Sequence, residues 1–166
     1  MVRKMEKAQV STPSDREVHV VRSFDAPRAL VYRAYTEPAL MQRWLLGSPG
    51  WTFPVCEMDV RVGGKYLWRW RNSADGSEFG FSGEFRAVEP AARLVHTQIF
   101  HPGSPSEAPP GGESLITLTF QEQGGITTVT TQIKFATKEE RDGAVASGMT
   151  DGMERSYQLL DKALAE

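Results

Sequence analysis

The feature that most constrains this chain is a change in hydrophobic period. From Phe53 to Phe135 apolar residues recur at nearly every second position, whereas from Thr137 to Glu166 they recur at steps of three and four. The first period is that of strands, and the second is that of one face of a helix. A succession of strands followed by one amphipathic helix buries a sheet face against that helix.

Thr137 and Glu140 form a capping box, so the spacing predicts one long helix from there to the C-terminus. Met149, Met153, Leu160 and Leu164 lie on its apolar face. Its middle is Gly148, Met149, Gly152, Met153, Ser156 and Tyr157, which combines small volume with flexible sulfur side chains. A glycine inside a helix costs roughly 1 kcal/mol relative to alanine. Two glycines four apart therefore have one of two uses. They let the helix approach the sheet closely, or they leave room beside it for a cavity wall whose methionines adapt to a guest.

The strand segments are well punctuated. Glu17 to Phe24 alternates, with Val18, Val20 and Phe24 on one side. Asp25, Ala26 and Pro27 start a short helix, Pro38 interrupts it, and Ala39 to Leu46 continues as a second helical piece carrying Trp44. Phe53 to Val62 follows, then the turn at Gly63 and Gly64. Lys65 to Arg71 sets Tyr66, Trp68 and Trp70 against Lys65, Arg69 and Arg71. After the Asp75–Gly76 hairpin signal, the return strand sets Phe79, Phe81 and Phe85 against Glu78 and Glu84. The opposed charges predict a solvated cross-strand ladder. Arg93 to His101 carries Leu94, His96, Gln98 and Phe100 on one side. Residues 102 to 112 form a long Pro-, Gly- and Ser-rich loop, a type that is either functional or mobile. Glu113 to Glu122 and Ile126 to Ala136 complete the set. The expected architecture is α+β: a curved, seven-stranded antiparallel sheet wrapped around a long C-terminal helix, with two short helices after the first strand.

A chain of 166 residues fits one domain, here residues 16 to 166, behind a polar, mobile leader of residues 1 to 15. The formal net charge of -2 lacks the basic footprint of a nucleic-acid binder. Cys56 is the single cysteine, so no intrachain disulfide forms and a reducing cytoplasm is the expected location. Met1 to Val10 has no secretory apolar core and no membrane span, and no membrane partner is expected.

Several segments together resemble one family. They are Arg22-Ser-Phe-Asp-Ala-Pro-Arg28, Asp59-Val-Arg-Val-Gly-Gly-Lys-Tyr66, Gly83-Glu-Phe-Arg-Ala-Val-Glu-Pro90, Arg93-Leu-Val-His-Thr97, and Gly148-Met-Thr-Asp-Gly152 through Leu160. They are similar to the activator of heat-shock protein 90 ATPase homologue family, within the SRPBCC or helix-grip superfamily, over residues 17 to 165. That superfamily also holds START lipid-transfer domains, the birch-pollen allergen and polyketide cyclases. The resemblance implies a helix-grip fold and a cavity for hydrophobic or amphipathic molecules, in which some members catalyse cyclisation or dehydration. The family's name comes from a chaperone-binding domain, so a chaperone partner is a further expectation. Members often carry tryptophan directly after the second helix glycine; Met153 here implies a wider or softer pocket.

The expected ligand-binding set is Trp44, Tyr66, Trp68, Trp70, Phe79, Phe81, His96, Gln98, Met149, Gly152, Met153 and Tyr157. Aromatic and methionine side chains with a few polar atoms suit a small hydrophobic, aromatic or polyketide-like molecule. The same residues also suit a packed core. His96 is the one candidate for acid or base chemistry, against a structural role as a hydrogen-bonded core histidine. His96 and His101 are five apart and point to opposite faces, so they form no joint metal site. No P-loop, dinucleotide fingerprint or serine elbow is present, and no cofactor is implied. Three functions remain open: hydrophobic ligand binding, a cyclase or dehydratase using His96, and a chaperone- or protein-binding module. A homodimer is compatible with each.

Overall fold

The alternating segments pair into one antiparallel sheet. The computed structural model describes residues 5 to 103 and 111 to 166. Its elements are β1 (Gln9–Ser11), β2 (Glu17–Phe24), α1 (Arg28–Thr36), α2 (Pro38–Trp44), β3 (Trp51–Met58), β4 (Lys65–Asn72), β5 (Glu78–Glu89), β6 (Arg93–Pro102), β7 (Glu113–Gln123), β8 (Ile126–Lys134), α3 (Lys138–Ala146) and α4 (Met149–Leu164). The strand order is β1-β2-β8-β7-β6-β5-β4-β3. With α4 against one face of this sheet, the arrangement is the helix-grip fold.

Two features differ from the sequence expectation. The sheet has eight strands rather than seven. The extra strand, β1, lies within the leader and pairs Gln9 with Val21 and Ser11 with His19. Its residues are exposed, so backbone pairing forms it with no apolar alternation to announce it. The long C-terminal helix is also two helices. Gly148 has φ 86°, a left-handed conformation that glycine adopts without strain, and it separates α3 from α4. Half of the capping box forms: Thr137 Oγ1 accepts from the Glu140 amide at 3.1 Å. The Glu140 carboxylate instead accepts from the Gly112 amide at 3.0 Å, fastening α3 to the start of β7. The long loop expected over 102 to 112 lies mostly outside the described residues.

The strand faces follow from register. Val18 stands opposite Ile133, Ile133 opposite Ile116, and Ile116 opposite His96, so all four share the face beneath α4. Leu160, Tyr157 and Ser156 of α4 are buried. The Ser156 hydroxyl accepts from the Gly47 amide at 2.8 Å, which ties the helix to the turn after α2.

Arg22 shares the face with Val18, Val20 and Phe24 and is 2% exposed. Its Nη1 and Nη2 donate to the two Asp161 carboxylate oxygens at 3.0 and 2.8 Å, and Nη2 also donates to Glu154 at 3.2 Å. Its guanidinium lies 5.0 Å from the Phe24 ring centroid and 5.8 Å from that of Tyr157. Burial opposes the charge, but the bonds to Asp161 and Glu154 outweigh it and hold the Arg22 pKa above its ordinary value. This one cation joins the first long strand to the last helix.

The basic stripe of β4 is only partly the solvated ladder expected from sequence. Lys65 stands opposite Glu84 and Arg71 opposite Glu78. Arg69, however, stands opposite Gly80 and is 7% exposed, with Nη2 donating to the Gly103 carbonyl at 2.6 Å. Gly80 leaves the space over which this guanidinium lies.

Truncating Arg22 leaves Glu154 and Asp161 facing each other without their shared cation. Arg22→Ala is expected to cost roughly 2–4 kcal/mol in urea unfolding, while Arg33→Ala at the exposed Arg33–Glu37 pair should leave the urea midpoint nearly unchanged.

Candidate functional site

The site is built on β4, β5 and β6. Trp68 stands opposite Phe81 and Trp70 opposite Phe79, while Tyr66 stands opposite Gly83. Trp70 stacks between Phe53 and Phe79, with centroids 4.4 and 5.1 Å away. Trp68 leans on Tyr66 at 4.4 Å and meets the His96 ring edge-on at 6.0 Å. Phe81 continues the wall to Phe100 at 5.5 Å. The wall is graded: Tyr66, Trp68 and Trp70 are buried, Phe79 and Phe81 half-buried, and Phe100 is 41% exposed. Its deep layer is core, as one of the two sequence readings expected, and its outer layer is open.

A glycine makes the deep layer possible. A Cβ on Gly83 would stand 2.0 Å from the Thr97 carbonyl oxygen and 2.6 Å from Tyr66 Cε1. Without it, Tyr66 reaches across β5 and its hydroxyl donates to Thr97 O at 2.5 Å. His96 Nδ1 lies 3.0 Å from Tyr66 Oη and 3.1 Å from Thr97 O. Burial lowers the His96 pKa to about 4, with the Thr97 carbonyl opposing, so the imidazole is neutral at pH 7. Burial likewise raises the Tyr66 phenol above its ordinary value. Among the described residues Trp68 Nε1, like Tyr35 Oη and Arg69 Nε, is buried without a hydrogen-bond partner. The other buried indoles are satisfied: Trp44 donates to Ala34 O at 2.9 Å and Trp70 to Leu45 O at 2.7 Å.

The N-terminal half of α4 carries Gly152 between Met149 and Met153. Its C-terminal half borders α1 and α2, where Leu160 and Leu164 meet Leu30 and Leu40 around a hollow of about 30 Å³. Met149 and Met153 are half-buried and pack on the core. A Cβ on Gly152 would meet nothing within 4 Å, and the same holds at Gly148. Neither glycine therefore serves close approach to the sheet.

Ten of the twelve expected residues lie on these strands or on the first turns of α4: Tyr66, Trp68, Trp70, Phe79, Phe81, His96 and Gln98 on β4, β5 and β6, and Met149, Gly152 and Met153 on α4. The other two do not. Trp44 lies between α1 and α2, packed on Tyr35 at 4.8 Å. Tyr157 meets Phe24 edge-on at 5.6 Å, over β2. It bonds Thr131, and burial pushes its pKa up to about 12. Trp51, which the sequence reading did not single out, belongs to the wall, with its ring 5.1 Å from Phe79. Its two-residue spacing from Phe53 was the available signal. Cys56 lies 3.9 Å from Met41 Sδ, and burial pushes its thiol up to about 11, so it is a packing group. His101 pairs with Ser82 at 2.7 Å on the other face of the sheet. No group of side chains suited to a metal occurs among the described residues. A second hollow, of about 350 Å³, borders Lys7, Gln9 and Val21 on the outer face and does not touch the aromatic wall.

Comparison with known proteins places this geometry. A family model described as Activator of Hsp90 ATPase homolog 1-like protein matches residues 25–165. A crystal structure of a protein from Rhodobacter sphaeroides is 31% identical, covering 96% of this chain and 99% of that one, with a TM-score of 0.86. One from Mycobacterium smegmatis is 20% identical, with 98% of each chain covered and a TM-score of 0.80. A solution structure of a protein from Arthrobacter aurescens is 23% identical, covering 95% and 91%, with a TM-score of 0.79. The two below 25% identity show the fold alone. A search of curated proteins found no match. Among the described residues no helix is long and apolar enough to cross a membrane.

Two measurements check the site's polar layer. Between pH 6.5, where an unfolded histidine titrates, and about 4, the unfolded chain binds a proton that native His96 refuses. Stability should therefore fall as pH drops through that window, by about 3 kcal/mol from this group, and His96→Gln should flatten that part of the urea-midpoint profile. Gly83→Ala should lower the thermal midpoint, because its methyl meets the Thr97 backbone and displaces Tyr66; an unchanged midpoint would contradict the crowding.

Proposed function

The chain belongs to the family of Activator of Hsp90 ATPase homolog 1-like proteins, and from that premise we propose that it binds a small hydrophobic, aromatic molecule between the sheet and α4. The observation that carries this reading is the free space at Gly152, beside Met149 and Met153. A helix glycine that touches no neighbour costs stability without aiding packing, and a guest gives that space a use. Phe79 and Phe81 supply half-exposed aromatic surface, and the two methionines adapt to the shape of what enters. Trp70 and Phe53 stiffen the wall from behind. His96 is held neutral by burial, with Tyr66 and Thr97 as partners. That arrangement suits recognition better than proton transfer at neutral pH, where a poised acid or base needs a pKa near the working value.

The test is to fill the space. In Gly152→Leu the new side chain projects into the proposed site and removes a helix glycine. Stability should hold or rise by up to about 1 kcal/mol, while saturable binding of phenylnaphthylamine, read by its fluorescence, weakens at least about tenfold. Undiminished binding to a folded Gly152→Leu would place the ligand elsewhere or nowhere.

A further inference from the structure

We infer that α3 is a gate: released at two latches, it unfolds locally and lets a guest reach the space beside α4 while the sheet and α4 stay folded. The inference rests on the binding reading above and adds how the guest enters.

The position of α3 follows from its two ends. At the first, the Gly111 amide donates to the Phe100 carbonyl at 2.9 Å, and the amide of the next residue, Gly112, donates to Glu140 at 3.0 Å. The opening turn of α3 is thus fastened beside the strand that carries Phe100, the exposed member of the aromatic wall. At the other end, α3 passes through left-handed Gly148 into Met149, which begins the turns that carry Gly152 and Met153. The segment therefore joins the open part of the wall to the methionine turns of α4.

Its own packing is slight. None of its nine residues is buried. No apolar residue of α3 packs on the core, although Phe135 before it and Met149 after it both do. Val145 is 39% exposed, and Gly143 weakens the helix from within. A helix this short is marginal without tertiary support, since isolated helices need about 12–15 residues. The exposed Lys138–Asp142 pair adds little. A segment with so few buried apolar contacts opens at low free energy while the rest of the domain stays closed.

The latches lie in the first turn and reach two different strands. Glu140 takes the Gly112 amide just before β7. Arg141 Nη1 donates to the Ser14 carbonyl at 2.8 Å and to the Glu17 carbonyl at 3.4 Å, where β2 begins. Both grip backbone groups beside paired strands, which gives α3 a fixed template on which to re-form.

The experiment follows amide hydrogen exchange and stopped-flow binding of phenylnaphthylamine on the full-length protein. Amides 141 to 147 should exchange at least about a hundredfold faster than amides 157 to 163 of α4; equal protection would overturn the gate. Two substitutions then move the opening in opposite directions. Gly143→Ala, whose methyl meets no neighbour, should slow exchange in α3 about fivefold, the effect of replacing a mid-helix glycine. Glu140→Ala, which frees the Gly112 amide, should speed it at least about fivefold. In each variant the association and dissociation rates of the probe should shift together with the exchange, so that affinity holds. Unmoved rates, with or without altered exchange, would mean that the guest does not pass α3 and would overturn the gate alone. No saturable binding of phenylnaphthylamine to any of the three proteins would overturn both this inference and the binding reading.

Discussion

The structure depends on one buried cation. Arg22 sits in the middle of an otherwise apolar strand face and gathers Glu154 and Asp161 from two turns of α4. The same Glu154 accepts from the Ala8 amide at 2.7 Å, which brings the leader onto the helix. A buried pair of this kind adds little net stability over a hydrophobic replacement, because desolvation offsets attraction. Its consequence is geometric. Apolar contacts allow a helix to slide on a sheet, whereas a guanidinium fixed by two carboxylates sets position and azimuth. With α4 fixed near its middle, its leucine-rich end closes against α1 and α2.

The aromatic wall grades from packed core to half-buried surface. Trp70 is sandwiched and its indole satisfied; Trp68 is packed, but among the described residues its indole has no partner. Beyond them Phe79 and Phe81 are half-buried and Phe100 is exposed. Glycines decide where density stops. Gly83 is absent volume that a neighbour uses, since Tyr66 fills it, whereas Gly152 is absent volume that nothing fills. Gly148 has a third role, bending the chain between two helices.

Much of the fold was legible because burial imposes a period. The alternation of Tyr66, Trp68 and Trp70 located β4 and its inner face, and Asp75–Gly76 located the hairpin that follows it. β1 was not legible, since three exposed residues paired through backbone carry no periodic signal. The break at Gly148 was masked because apolar steps of three and four continue across it, and phase alone does not report a single left-handed residue. For the site, residue type located the walls but not the partners. Trp44 and Trp68 each stand between a leucine and an arginine in sequence, and only the fold brings a carbonyl to one indole and, among the described residues, none to the other. Arg22 was hidden for a related reason: a charge in an apolar strand face makes sense only once a helix 132 residues away supplies its counter-ion.

The central claim is that space, rather than packing, lies beside the first turns of α4. The most direct measurement is a xenon titration of protein carrying labelled methionine methyl groups, because xenon enters apolar cavities without needing a specific ligand. The account predicts saturable shifts at Met149 and Met153, with Met41, packed in the core, unmoved. Silent Met149 and Met153 methyls under xenon pressure would mean that the two walls meet, and that α4 closes on the sheet as a solid core.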